Sequence, residues 1–377
     1  MSFFRTYTYL ISLGLIVFVF SNFFFESSLS SGKQLARELK SPGQNPEINT
    51  ISKEAPFQYR ILFNLLVNSS FKVSEKYGLR FTYFQIYYFY SLVFFLSSLC
   101  LFYYFLRTIG FSQVYSLAGS ILYLLLPPII WAYQLPVHTR EDMLGYSIFF
   151  LALINIVKNR FFPILILSVL GVLVRETLLL LPLVYILYNG INLKTILTSL
   201  FSFGAFFLVR AFLGFVHYDL WQGIKWNMEN IHWVFMFIFI AFHFMWFPFF
   251  GSLKNTIPKY KNFRSQSLVI VILIVGTTLV FGKANEIRLL VLLAPWVIVS
   301  FLDWVIENKQ VIKIFLNYRV YLFLFLALIV TYFIDVSFIH STYNLPIKLW
   351  LITGVFYGVL SFMLLIVWIN RLIGNER

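Results

Sequence analysis

The residues of this chain that could do chemistry are few, and six of their seven clusters set a carboxylate close to an arginine or a histidine. In chain order they are Glu26; Glu54 with Tyr59 and Arg60; the run His138 to Asp142 with Arg140 and Glu141; the adjacent Arg175 and Glu176; the run His217 to Trp226; Glu286 with Arg288; and Asp335 with His340. Carboxylates serve as general bases, and the planar fork of arginine matches a phosphate. Glu26, Asp142 and Glu54 are therefore the candidate bases. Arg60, Arg140, Arg175 and Arg288 are the candidate phosphate ligands, with Glu176 and Glu286 placed to orient them. Metal-ligand spacing is weak: there is no His-x-x-x-His, no Asp-x-Asp and only one cysteine, Cys100. No metal ligands and no cofactor are assigned, and a divalent metal is left open.

Each cluster also has an ordinary structural explanation. Arg175 and Glu176 suit an ion pair at a helix turn. Glu286 suits the positive end of a helix dipole, and Asp142 suits a helix cap. Glu26 suits the end of a first span, and His217 with Asp219 suits a polar loop.

The elements that carry these residues are apolar. Of 377 residues 60% are hydrophobic and only 12% charged, with a mean hydropathy of +0.82. Runs long enough to cross a hydrocarbon core of about 30 Å recur throughout. They fall near 6–25, 81–106, 111–133, 142–157, 161–174, 177–189, 195–215, 232–253, 267–282, 287–306, 319–335 and 347–370. The expected fold is an all-α polytopic membrane domain of about 11–12 transmembrane helices spanning 1–377. Residues 26–80 would form a first extracytoplasmic loop, in which 35–41 and 55–78 read as amphipathic interfacial helices.

With the N-terminus cytoplasmic, the short inside loops collect Arg107, Lys158, Arg160, Lys194, Lys254, Lys259, Lys261, Arg264, Lys309, Lys313, Arg319 and Arg371. Glu307 and Glu376 are their only clear acids. This bias obeys the positive-inside rule and puts both termini in the cytoplasm. It also accounts for the net charge of +14 without nucleic acid as a partner. The same bias flanks 161–188 on both sides. That run is expected to be a hairpin of two short helices with Arg175 and Glu176 at its outer turn, below the membrane surface, where charge is tolerated against a water-filled cavity.

Three stretches, Ala55 to Leu62, Leu173 to Pro182 and Gly282 to Trp296, resemble the Tyr-Arg, Arg-Glu-Thr and Glu-x-Arg stretches of uncharacterised bacterial members of the GT-C class of membrane glycosyltransferases. The resemblance implies an outward-facing site for a polyprenyl-phosphate-linked sugar donor in a bacterial inner (plasma) membrane. The acceptor would be a lipid, a glycan or a protein. It also implies a catalytic carboxylate soon after the first span, where Glu26 is the best match. The alternative class is a flippase, exporter or polymerase of lipid-linked saccharides. A flippase would spread charges through the depth of its spans, whereas here only Arg210 and Asp303 are internal.

Overall fold

The computed structural model describes residues 3–25, 61–124, 126, 128–129, 142–214, 220–251, 266–281 and 287–307. Among them every regular element is helical and no strand occurs. We number the α-helices α1 (Phe3–Phe25), α2 (Ile61–Lys76), α3 (Tyr83–Ile109), α4 (Gln113–Leu124), α5 (Asp142–Val157), α6 (Phe161–Val174), α7 (Leu180–Asn189), α8 (Leu193–Leu213), α9 (Leu220–Glu229), α10 (Ile231–Phe242), α11 (Trp246–Gly251), α12 (Ser267–Phe281) and α13 (Ala294–Glu307). Short 3-10 turns cover Glu176–Leu179, His243–Met245 and Ile287–Leu293.

Among the described residues, three stretches are long and apolar enough to cross a membrane: Gln85–Ile109, Leu193–Leu213 and Arg288–Glu307. They occupy different depths in the bundle. The Arg288–Glu307 stretch is 83% buried and the Leu193–Leu213 stretch only 11%. So α13 lies at the centre and α8 at the rim. Helix α5 is also central, with every residue from Asp142 to Phe150 buried. The two central helices touch through Phe149 and Trp296, whose rings stand 6.0 Å apart.

Named contacts give the helix directions. Ser147 Oγ donates to Phe94 O at 2.9 Å, and Lys158 Nζ to Tyr104 OH at 2.7 Å, so α3 and α5 run parallel. Phe18 packs on Phe95 and Tyr7 on Tyr103, so α1 runs antiparallel to α3. Tyr146 OH donates to Arg288 O at 2.7 Å, one turn before the Phe149–Trp296 contact, so α13 runs with α5. Helix α5 has 16 residues, a length of about 24 Å. The bundle thus has two poles. Asp142, Arg175 and Arg288 stand at one. Arg5, Arg107, Lys158, Arg160 and Lys194 stand at the other.

Small residues let the helices approach. A Cβ on Gly119 of α4 would meet Leu106 at 2.6 Å and Leu302 at 2.8 Å, so α3, α4 and α13 close on a position with no side chain. Between α6 and α8 the buried residues include Ser168, Thr195, Thr198 and Ser202. Such a composition is typical where lipid gives helices no hydrophobic reason to associate.

Several expected boundaries shift. The run 232–253 is not one helix: it breaks at His243, where φ is 47°. Residues 220–229, expected as loop, form α9, which packs on α12 through Asn227 Nδ2 to Leu279 O at 2.7 Å. The run 111–133 has its helix end at Leu124, and 287–306 opens as a 3-10 run. Helix α2 packs on the N-terminal half of α3, with Phe63 against Tyr87 and Ser70 bonded to Tyr90. The expected helix at 35–41 and the spans 319–335 and 347–370 lie outside the described residues.

Candidate functional site

The run 161–188 is broken at Arg175. Helix α6 ends at Val174, and Arg175 is extended (φ −160°, ψ 134°). Glu176–Leu179 then forms a 3-10 turn into α7. A Cβ on Gly171 would lie 3.0 Å from Leu178 Cβ and 3.5 Å from Leu181 Cδ1. In a continuous helix Gly171 and Leu181 would be about 15 Å apart, so the chain folds back on itself. Gly171 is what lets the returning strand of the turn approach. A continuous long helix is thereby excluded.

The extended residue sends neighbouring side chains to opposite sides, as in any extended segment. Arg175 turns inward and its Nη1 donates to Asp142 Oδ1. Arg288 approaches the other carboxylate oxygen, with Nε 3.1 Å from Oδ2. That contact is an ion pair whose N–H does not point at the oxygen. Three charged residues from three distant segments therefore meet, each at least 94% buried. Asp142 opens α5, Arg175 sits in the break before α7, and Arg288 sits in the 3-10 run that leads into α13. The Asp142 carboxylate takes no hydrogen bond from its own helix. It is the bracket between two guanidiniums, not a cap.

Tyr146, one turn along α5 from Asp142, holds the Arg288 carbonyl. It therefore ties the 3-10 run to α5 beside the ion pairs. Tyr146, Gly145, Thr177 and Leu289 line a cavity next to Asp142 and Arg175. Its volume is about 10 Å3, room for about one water.

Glu176 turns the other way. It pairs with Arg210 of α8, Oε1 to Nη2, at 3.5 Å. The role expected for Glu176 is to orient the phosphate-ligand arginines; its pairing with Arg210 is not anticipated. Both side chains of this second pair are partly exposed, at 16% and 21%. Arg210 also lies 3.5 Å over the Phe206 ring.

Of the residues singled out in the sequence, Asp142, Arg175 and Arg288 are thus brought together, and Glu176 stands beside them with a different partner. Glu26, Glu54, Arg60, Arg140 and Glu286 lie outside the described residues. Tyr146 and Arg210 were not among the candidates. Tyr146 had a readable signal, since residues four apart share a helix face. Arg210 had none beyond being a charge inside an apolar run. Among the described residues no three His, Cys, Asp or Glu side chains gather into a group able to hold a metal ion.

No family model, no curated protein and no solved structure matches the chain.

Proposed function

We propose that the chain is a multi-pass membrane enzyme that transfers a sugar from a polyprenyl-phosphate donor to a lipid, glycan or protein acceptor at the non-cytoplasmic face. The observation that carries this reading is the meeting of Asp142, Arg175 and Arg288 at one pole, with five basic residues gathered at the other. Ionisable groups at membrane depth are costly and mark functional sites by default. The short loops that carry Arg107, Lys158, Arg160 and Lys194 are the ones assigned inside by the positive-inside rule, and with that assignment the paired arginines face outward. The exposed side chains of the rim helix, Leu200, Phe207, Leu208 and Phe212 among them, suit contact with lipid.

In this reading Arg175 and Arg288 hold the donor phosphate and its developing charge, and Asp142 fixes their spacing. Stabilising charge that appears in the transition state is usually the largest catalytic contribution. Asp142 thereby moves from candidate base to anchor, because its two oxygens already face guanidiniums. The acceptor hydroxyl would give its proton to Glu26 or Glu54. Opening of the 3-10 turn at Glu176–Leu179 would enlarge the cavity to admit the phosphate. The membrane is a bacterial inner (plasma) membrane.

The test is sugar transfer from a radiolabelled polyprenyl-phosphate sugar by the purified full chain. Arg175→Lys keeps the charge and loses the fork. It should cut transfer by about 10²-fold, the scale for losing one stabilising donor, while the melting temperature stays near wild type. Unchanged transfer by Arg175→Lys would assign the cluster a purely structural role. Translocation of the lipid-linked sugar without any new glycosidic bond would favour the flippase class instead.

A further inference from the structure

The basic pole has a feature beyond its charge: two parallel neighbouring helices, α3 and α5, end there in the same rigid turn. In α3 the Gly110 N–H bonds Arg107 O and the Phe111 N–H bonds Leu106 O, both at 3.1 Å, with Gly110 at φ 104°. In α5 the Asn159 N–H bonds Ile156 O and the Arg160 N–H bonds Asn155 O, both at 3.0 Å, with Asn159 at φ 53°. Both are the paired-bond C-terminal turn that needs a left-handed residue. Asn159 tolerates that conformation better than most residues with a side chain.

These turns hold their cations in fixed places. Arg107 Nη1 donates to Phe111 O at 2.6 Å across its own turn. Lys158 Nζ reaches over to α3, 2.7 Å from Tyr104 OH and 4.5 Å from the ring centre. Arg160, two residues beyond Lys158, is exposed. Among the described residues the one exposed carboxylate of this pole is Glu307, at the end of α13. Basic residues at helix C-termini are favoured by the dipoles alone. The dipoles do not account for a Lys drawn onto the Tyr of the neighbouring helix, with a free-standing Arg two residues on.

We infer that this pair of turns is a docking site for the phosphate of an anionic phospholipid in the cytoplasmic leaflet, held by Lys158, Arg160 and the Tyr104 hydroxyl. The inference rests on the membrane placement proposed above but not on sugar-transfer chemistry. The charge complementarity is direct, and the neighbouring apolar surface of α3 and α6, with Val93 and Phe162 exposed, offers a bed for acyl chains. A lipid phosphate is favoured over a free one because the turns lie at the end of a membrane-length helix.

The experiment titrates the full-length protein, purified in a neutral detergent, with short-chain phosphatidylglycerol and reads retained lipid by native mass spectrometry. Phosphatidylcholine of the same chain length and inorganic phosphate run alongside. Phosphatidylglycerol should be retained and the other two not. Each basic residue near the surface contributes about fivefold to such binding, so Lys158→Gln with Arg160→Gln should weaken it about 25-fold. Lys72→Gln with Lys76→Gln, exposed on α2 at the opposite pole, should leave it unchanged. Arg160→Gln alone removes an exposed charge and carries the test, at about fivefold, if the double variant does not fold. Equal retention of phosphatidylcholine, equal binding of inorganic phosphate, an equal loss in the α2 variant, or undiminished binding in the Arg160 variant would each overturn the inference. None of these readings depends on transfer activity, so failure here and failure of the glycosyltransferase reading are distinguishable.

Discussion

Arg175 and Glu176 are neighbours in the chain and carry ion pairs of different kinds. Arg175 joins Asp142 and Arg288 at the centre of the bundle, where all three side chains are buried. Glu176 joins Arg210 on the rim helix, where both are partly exposed. One extended residue separates the two environments. Arg175 ties α5 and the entry to α13 together, while Glu176 ties the same turn to α8. The charge of the pair matters less than where the break in the helix sends each member.

The difference predicts unequal costs. The largest falls on the shared carboxylate. Asp142→Ala removes the anion that two buried arginines face, and breaking a buried pair costs about 3–5 kcal/mol. Unfolding of the purified protein, followed by thermal scan or denaturant titration, should register a loss of that size. A loss below about 1 kcal/mol would erase the distinction between the two ion pairs. Combining Asp142→Leu with Arg175→Met and Arg288→Met should recover much of the stability, since well-packed apolar replacements of buried ion networks are often neutral or better. Transfer activity should not return with it, and that split would separate anchoring from catalysis.

The next effect tests the break itself. Gly171→Ala puts a methyl 3.0 Å from Leu178 Cβ. Overpacking of this kind typically costs about 1–3 kcal/mol, and here it would push the 3-10 turn off α6. The readouts are the melting temperature together with transfer activity, and both should fall. A variant as stable and active as wild type would show that the close approach is dispensable.

Tyr146→Phe removes one buried hydrogen bond to the Arg288 carbonyl. Such a bond contributes about 0.5–1.5 kcal/mol, measured in the same unfolding experiment. The smallest effect is expected on the rim. Glu176→Gln should cost under about 1 kcal/mol, after discounting for the solvent that reaches both side chains. Should Glu176→Gln rival Asp142→Ala, the rim pair would be the true anchor of the turn.

Part of this was readable from residues alone. The mean hydropathy and the repeated apolar runs point to helices, which pair their own backbone in an apolar setting, and among the described residues every regular element is helical. The break within 161–188 was readable too. Basic residues flank both ends of the run, and an Arg–Glu doublet interrupts 28 residues of apolar chain. The breaks at His243 and across Ile287–Leu293 were not, because periodicity carries no sign of a left-handed histidine or of a 3-10 run. Helix α9 was also missed: its Trp, Gln, Gly and Lys content reads as loop until α12 supplies a face for it.

What the sequence determined by itself is the list of charges and where each interrupts an apolar run. A charge in an apolar chain is so expensive that its position along the chain is informative on its own. Which charges pair is another matter. Asp142 and Arg175 are 33 residues apart, and Arg288 is more than a hundred further on. Nothing in their spacing distinguishes Arg175 from Arg210 as the partner of a given carboxylate. That choice depends on the direction in which each helix runs, on the close approach at Gly171, and on one extended residue that turns two neighbours to opposite sides. These are properties of helices packed in three dimensions, which no spacing along the chain encodes.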